Sequence, residues 1–121
     1  SLYDETHQPT QEMLNGIDVL VYDIQDVGAR YYTFITTMVL AMEAAAECDV
    51  SFIVLDRPNP IRGDRLEGSL LQSEFKSFVG SHPLPIRHGM TMGELALLFK
   101  TELHLDLRLE VGKFVLSPSL Q

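Results

Sequence analysis

A chain of 121 residues holds one domain, not two of ordinary size, and its 45% apolar share is ample for a core, which excludes a disordered chain. Its 17 acidic and 9 basic residues leave a net charge of −8 with the histidines neutral, and the basic residues form no block or stripe. Such a surface repels phosphate backbones and anionic lipid, so neither nucleic acid nor a membrane is an expected partner.

The opening stretch reads as a loop leading into a short helix, with Thr10 as N-cap and Gly16 in the left-handed conformation that ends it. "IDVLVYDI" follows as a nearly continuous apolar run, the pattern of a parallel strand buried on both faces. From Tyr31 to Glu47, apolar residues recur at three- and four-residue steps, which predicts a long helix. Cys48, at its end, is the single cysteine; it cannot close an internal disulfide and reads as a small buried apolar residue. "VSFIVLD", residues 50–56, is a second strand of the buried type and completes a βαβ unit.

After Arg57 the chain turns irregular, because "RPNPIRGDRLEGS" carries prolines and glycines that forbid a regular helix or a central strand. That irregularity continues past a short helical turn around Phe75 to "TMGE", residues 91–94, which has capping-box spacing and opens a helix running to about Leu103. The tail "LRLEVGKFVLSPSLQ" alternates like a half-exposed strand and then frays. The fold class is therefore α/β, a partial Rossmann-like parallel sheet with flanking helices. Two strands covered on both faces need more sheet and more helix than remain, so residues 1–121 are expected to form a single α/β segment of a larger Rossmann-like domain, or to complete the sheet with another copy.

No apolar run approaches the about 20 residues that cross a bilayer, and nothing at residue 1 resembles a signal peptide. The four histidines, His7, His82, His88 and His104, show no metal-ligand spacing, so no metal site is expected. There is no G-x-S-x-G elbow, no GK[ST] and only one glycine in "DVGAR", which speaks against a serine nucleophile and against a nucleotide cofactor.

What remains is a set of carboxylates, arginines and amides at strand ends, the edge where ligands gather in open parallel sheets. Asp23 and Asp26 follow the first strand, and paired carboxylates suit glycoside hydrolysis. The competing reading is that Asp26 caps the helix that begins near Arg30. Asp56 and Arg57 form a buried ion pair in one reading of "DRPNPI"; in the other, Arg57 and Asn59 bind a substrate carboxylate or hydroxyls. Glu67 and His88 lie in turn-like contexts that present a side chain to a ligand or to solvent.

Several segments in order, "SLY", "PTQEML", "DVLVYDIQDVGARYYTFI", "MEAAAE", "FIVLDRPNPIRGDRLEGSLL" and "FVGSHPLPIRHGMTMGELA", resemble the NamZ/YbbC-like proteins, a former domain of unknown function now regarded as exo-β-N-acetylmuramidases. The resemblance implies a Rossmann-like N-terminal domain, a smaller C-terminal one and a cleft between them, with removal of terminal N-acetylmuramic acid from peptidoglycan fragments. It implies a muramic-acid-containing glycan as partner, no cofactor, and a family often exported or periplasmic in bacteria.

Carried over residue by residue, Asp23, Asp26 and Glu67 become candidate catalytic carboxylates. Gln25, Arg30, Arg57, Asn59 and His88 become candidate substrate-binding residues, with Arg57 or Arg30 for the lactyl carboxylate. Three departures stand out. The family's upstream Pro-Glu-His-Gly motif, whose glutamate is its favoured catalytic residue, has no counterpart; position 4 is Asp where the family has Gly; and the final "GKFVLSPSLQ" leaves the family pattern. The expectation is a muramidase segment that is catalytically incomplete. The alternatives are a non-catalytic sugar-binding or self-associating module and, disfavoured by the missing glycines, a nucleotide-binding one.

Overall fold

A computed structural model of the chain describes residues 6–30, 32–61, 64–75 and 82–113. Asp4, Tyr31 at the head of the expected helix, and the tail beyond Lys113 lie outside them. Helix α1 spans Gln11–Leu14; the Thr10 hydroxyl accepts from the Met13 N–H, and Gly16 follows at φ 77°. Strand β1 (Val19–Tyr22), helix α2 (Thr33–Glu47), strand β2 (Ser51–Asp56), a 3-10 turn (Ser73–Phe75), helix α3 (Met92–Glu102) and strand β3 (Leu109–Lys113) complete the order.

The sheet is parallel, in order β1-β2-β3, with Val21 opposite Ile53 and Asp56 opposite Lys113. Parallel pairing follows from the two helical crossovers, α2 between β1 and β2 and α3 between β2 and β3. Successive strand residues point to opposite faces. Phe52 and Val54 on one face are fully buried, beside Met38 and Met42 of α2 and Leu95 and Ala96 of α3 in one core cluster. At about 25 cal/mol per Å² of apolar area, such clusters are the main source of stability. The Tyr22 hydroxyl donates to the Phe34 carbonyl at 2.8 Å and ties the end of β1 to α2.

Two sequence expectations change here. The strands are buried on one face only: Val19 is 43%, Val21 53% and Leu55 41% exposed. The reason is that both helices cover the face carrying Phe52 and Val54, so nothing among the described residues shields the other. Cys48 is half-buried and closes α2 as its C-cap, at the wall of a groove of about 510 Å³, and not in the core. Among the described residues, no helix is long and apolar enough to cross a membrane.

Candidate functional site

Four segments converge at the carboxyl edge of the sheet: residues 23–30 after β1, 56–61 after β2, 66–71, and 84–91 before α3. Backbone pairing holds them together. Arg87 bridges antiparallel to Ala29 on one side and to Glu67 on the other, and the Arg30 N–H donates to the Ile86 carbonyl at 2.9 Å. Gly28 permits the closest approach. It sits at φ 84°, and a Cβ there would lie 2.5 Å from Ile61 Cγ1 and 2.7 Å from Asn59 Oδ1. Only glycine meets both conditions.

At the centre is a buried pair. His88 Nε2 lies 2.9 Å from Asp26 Oδ2, with side chains 0% and 3% exposed. The Met90 N–H donates to His88 Nδ1 at 3.2 Å, so Nδ1 carries the lone pair and Nε2 carries the hydrogen that Asp26 accepts. The Gly28 N–H donates to the same Asp26 oxygen at 2.9 Å. Asp26 Oδ1 is buried with no hydrogen-bond partner among the described residues. A carboxylate fixed through one oxygen with a free acceptor on the other is unusual, because buried polar atoms are nearly always paired.

The expected helix-capping role of Asp26 is not realised. Helix α2 starts at Thr33, seven positions on and out of capping reach, and its N-cap Tyr32 makes no side-chain cap bond. The expected Asp56–Arg57 ion pair is absent as well. Adjacent strand-end residues point apart. Asp56 turns to α3, where Oδ2 accepts from the Thr91 hydroxyl at 2.9 Å and Oδ1 from the Gly93 N–H at 2.8 Å. The capping box read from "TMGE" is present alongside, with Thr91 and Glu94 exchanging bonds. Arg57 instead pairs with Asp23, both about half in solvent.

The other candidates are placed as follows. Glu67, 56% exposed, faces Arg87 at 3.3 Å. Arg30 directs Nη1 at two loop carbonyls, Ser69 at 2.6 Å and Leu84 at 2.5 Å. Asn59 donates to the Met90 carbonyl and accepts from the Ile61 N–H, each at 2.9 Å. Gln25 donates to the Asp26 carbonyl at 2.9 Å. Thus Asp26 and His88 are brought together, as are Asp23 and Arg57, while Arg30 and Asn59 brace the loops around them.

Sequence reasoning missed Lys113. It lies opposite Asp56 at the end of β3, and with Arg57 it lines a hollow of about 190 Å³. No local signal marks it, since its position depends on strand order. No group of three or more His, Cys, Asp or Glu side chains among the described residues is placed to hold a metal ion. The groove of about 510 Å³ by Cys48 and Ile17 is larger, but its polar side chains, Gln11, Glu12 and Asn15, come from α1 and the turn that precedes β1, not from the carboxyl edge of the sheet.

A parallel α/β sheet with helical crossovers and polar side chains gathered at its carboxyl edge places the molecule in the Rossmann-like α/β fold class. Within that class its relatives are specific. Residues 1–115 match the family described as "Exo-beta-N-acetylmuramidase NamZ, N-terminal", and the chain belongs to that family. It is 56% identical over 113 residues to the peptidoglycan beta-N-acetylmuramidase NamZ of Bacillus subtilis (strain 168), a match covering 93% of this chain and 27% of that protein. Two crystal structures of DUF1343 family proteins from Bacteroides fragilis NCTC 9343 are similar. One has TM-score 0.85 and 53% identity, over 92% of this chain and 29% of that one; the other has 0.79 and 44%, over 85% and 30%. The chain therefore spans less than a third of the length of these relatives.

Proposed function

We propose that this chain is the sheet-and-loop segment of an exo-β-N-acetylmuramidase and forms the substrate-side wall of its glycan cleft. Residues 1–121 then constitute an incomplete part of a larger Rossmann-like domain. The observation that carries the reading is the buried Asp26–His88 pair at the carboxyl edge, with one Asp26 oxygen left without a donor among the described residues. A rigid carboxylate with an open acceptor is what a site needs where a hydroxyl or amide N–H arrives from a ligand or from a further part of the protein. Membership of a family described as an exo-beta-N-acetylmuramidase supports a glycan ending in N-acetylmuramic acid as the substrate class.

In this reading Asp23, Asp26 and Glu67 are the carboxylates from which acid or base chemistry draws, beside a catalytic group contributed from outside the chain. Arg57 meets substrate, Asn59, Gln25 and His88 position the loops and the carboxylate, and Arg30 holds the wall against residues 69 and 84. The test uses a chromogenic N-acetylmuramide. The isolated chain is expected to release little or no chromophore; robust turnover by the chain alone contradicts the incomplete-segment reading.

One observation favours a second reading, a self-associating module without turnover: the uncovered apolar face bearing Val19, Val21 and Leu55. Sedimentation equilibrium separates the two. A dimer dissociated by Val21→Lys supports self-association through this face, and a monomer at all concentrations removes it.

A further inference from the structure

We infer that Arg57 and Lys113 form the subsite for the lactyl carboxylate of muramic acid and set the preference for that sugar over uncharged N-acetylhexosamines. This rests on the muramidase reading above and names the part of the site that would recognise the acid. Muramic acid differs from glucosamine by one ether-linked lactyl group, whose carboxylate is its only added charge. Selectivity for it therefore needs an accessible cation with donors left over from its own pairing.

The arginines around the carboxyl edge differ in that respect. Arg30 spends Nη1 on the carbonyls of Ser69 and Leu84. Arg87 is 19% exposed, faces Glu67 and belongs to the bridge that joins the loops. Arg57 is 38% exposed, and among the described residues its side chain bonds through Nη2, to Asp23 Oδ1. Lys113 is exposed and makes no ion pair with a described residue.

These two cations come from adjacent strand ends, because β2 and β3 pair Asp56 with Lys113 and Arg57 follows directly. Both line the hollow of about 190 Å³, with Pro58 and Thr91, and a second of about 230 Å³, with Leu55 and Gly112. Asp56 also borders them, but both its oxygens already accept bonds from the start of α3, whose positive end offsets its charge. An incoming carboxylate thus meets a planar fork and a point charge. The fork can bind two carboxylate oxygens, and Lys113 adds attraction without geometric demand.

The test grafts residues 1–115 into the Bacillus subtilis relative in place of its matched segment. Two chromogenic β-N-acetylmuramides are compared, one with the free lactyl acid and one with its neutral amide, and binding of N-acetylmuramic acid is measured by calorimetry. Arg57→Ala is expected to raise KM for the acid by about 10- to 100-fold, and Lys113→Ala by about three- to tenfold, with Arg57→Lys intermediate. On the amide the same variants shift KM by less than about threefold. Equal losses on acid and amide, or no change in KM on the acid, overturn the subsite. A graft that binds N-acetylmuramic acid through Arg57 without turnover keeps the subsite and overturns the muramidase reading; one that neither binds nor turns over overturns both.

Discussion

His88 and Asp26, 62 residues apart in sequence, form a 2.9 Å hydrogen bond in which neither side chain is more than 3% exposed. Removing one partner of a buried hydrogen-bonded pair leaves the other desolvated and unpaired. His88→Phe fills the space without a donor and is expected to cost about 3 kcal/mol. Asp26→Asn keeps an acceptor for Gly28 and His88 and should cost about 1 kcal/mol. Urea unfolding of both variants checks the order; equal losses would mean that the pair contributes only volume.

Gly28 makes a separate demand on the same loop. Gly28→Ala places a methyl at φ 84° against Ile61 and the Asn59 amide, which in turn holds the Met90 carbonyl. Backbone strain and overpacking together predict a loss of about 2–4 kcal/mol. Thermal unfolding measures it, and a loss under about 0.5 kcal/mol would show that the loop yields freely.

Asp56 is a capping acid supplied from a neighbouring strand. Asp56→Ala removes both bonds to Thr91 and Gly93 and a negative charge at the start of α3, a loss of about 2 kcal/mol. Thr91→Ala should cost about 1 kcal/mol, and the double variant less than the sum, because one hydrogen bond is shared. Strict additivity in the cycle is the contrary result.

Much of this frame was legible locally. "TMGE" announces its own capping box, and the two apolar runs place β1, β2 and hence the polar edge. Long-range pairing was not legible. Asp26 lies close enough to α2 in sequence to suggest a cap, yet its partner lies in a proline- and glycine-rich stretch with no periodic pattern. Arg57 sits beside Asp56 in sequence and chooses Asp23, since neighbouring strand-end residues diverge. Burial of the strands was overestimated because a continuous apolar run reports the face a sheet can cover, not what covers it within this length of chain.

Glu43 gives a pH signature unrelated to the site. Burial against α2's surroundings, and then Glu47 one turn on, raise its carboxyl above the ordinary value of 4.5. The folded state then holds the proton more tightly than the unfolded one, so stability falls as pH rises from 4.5 through the raised value. Glu43→Gln should stabilise at neutral pH by about 0.5 kcal/mol after allowance for solvent screening. The gain should vanish below 4.5, where both states are protonated. Unfolding midpoints at acid and neutral pH test this; a gain that persists in acid contradicts it.

The substrate-side wall of a muramidase, proposed for these residues, is open to direct assay. Its most direct measurement is release of N-acetylmuramic acid from the non-reducing end of a peptidoglycan disaccharide by the Bacillus subtilis relative carrying residues 1–115 of this chain. The folded graft is expected to turn over, with a loss of at least about tenfold on Asp26→Asn. A graft that folds with native-like unfolding cooperativity and releases no sugar would contradict the proposal.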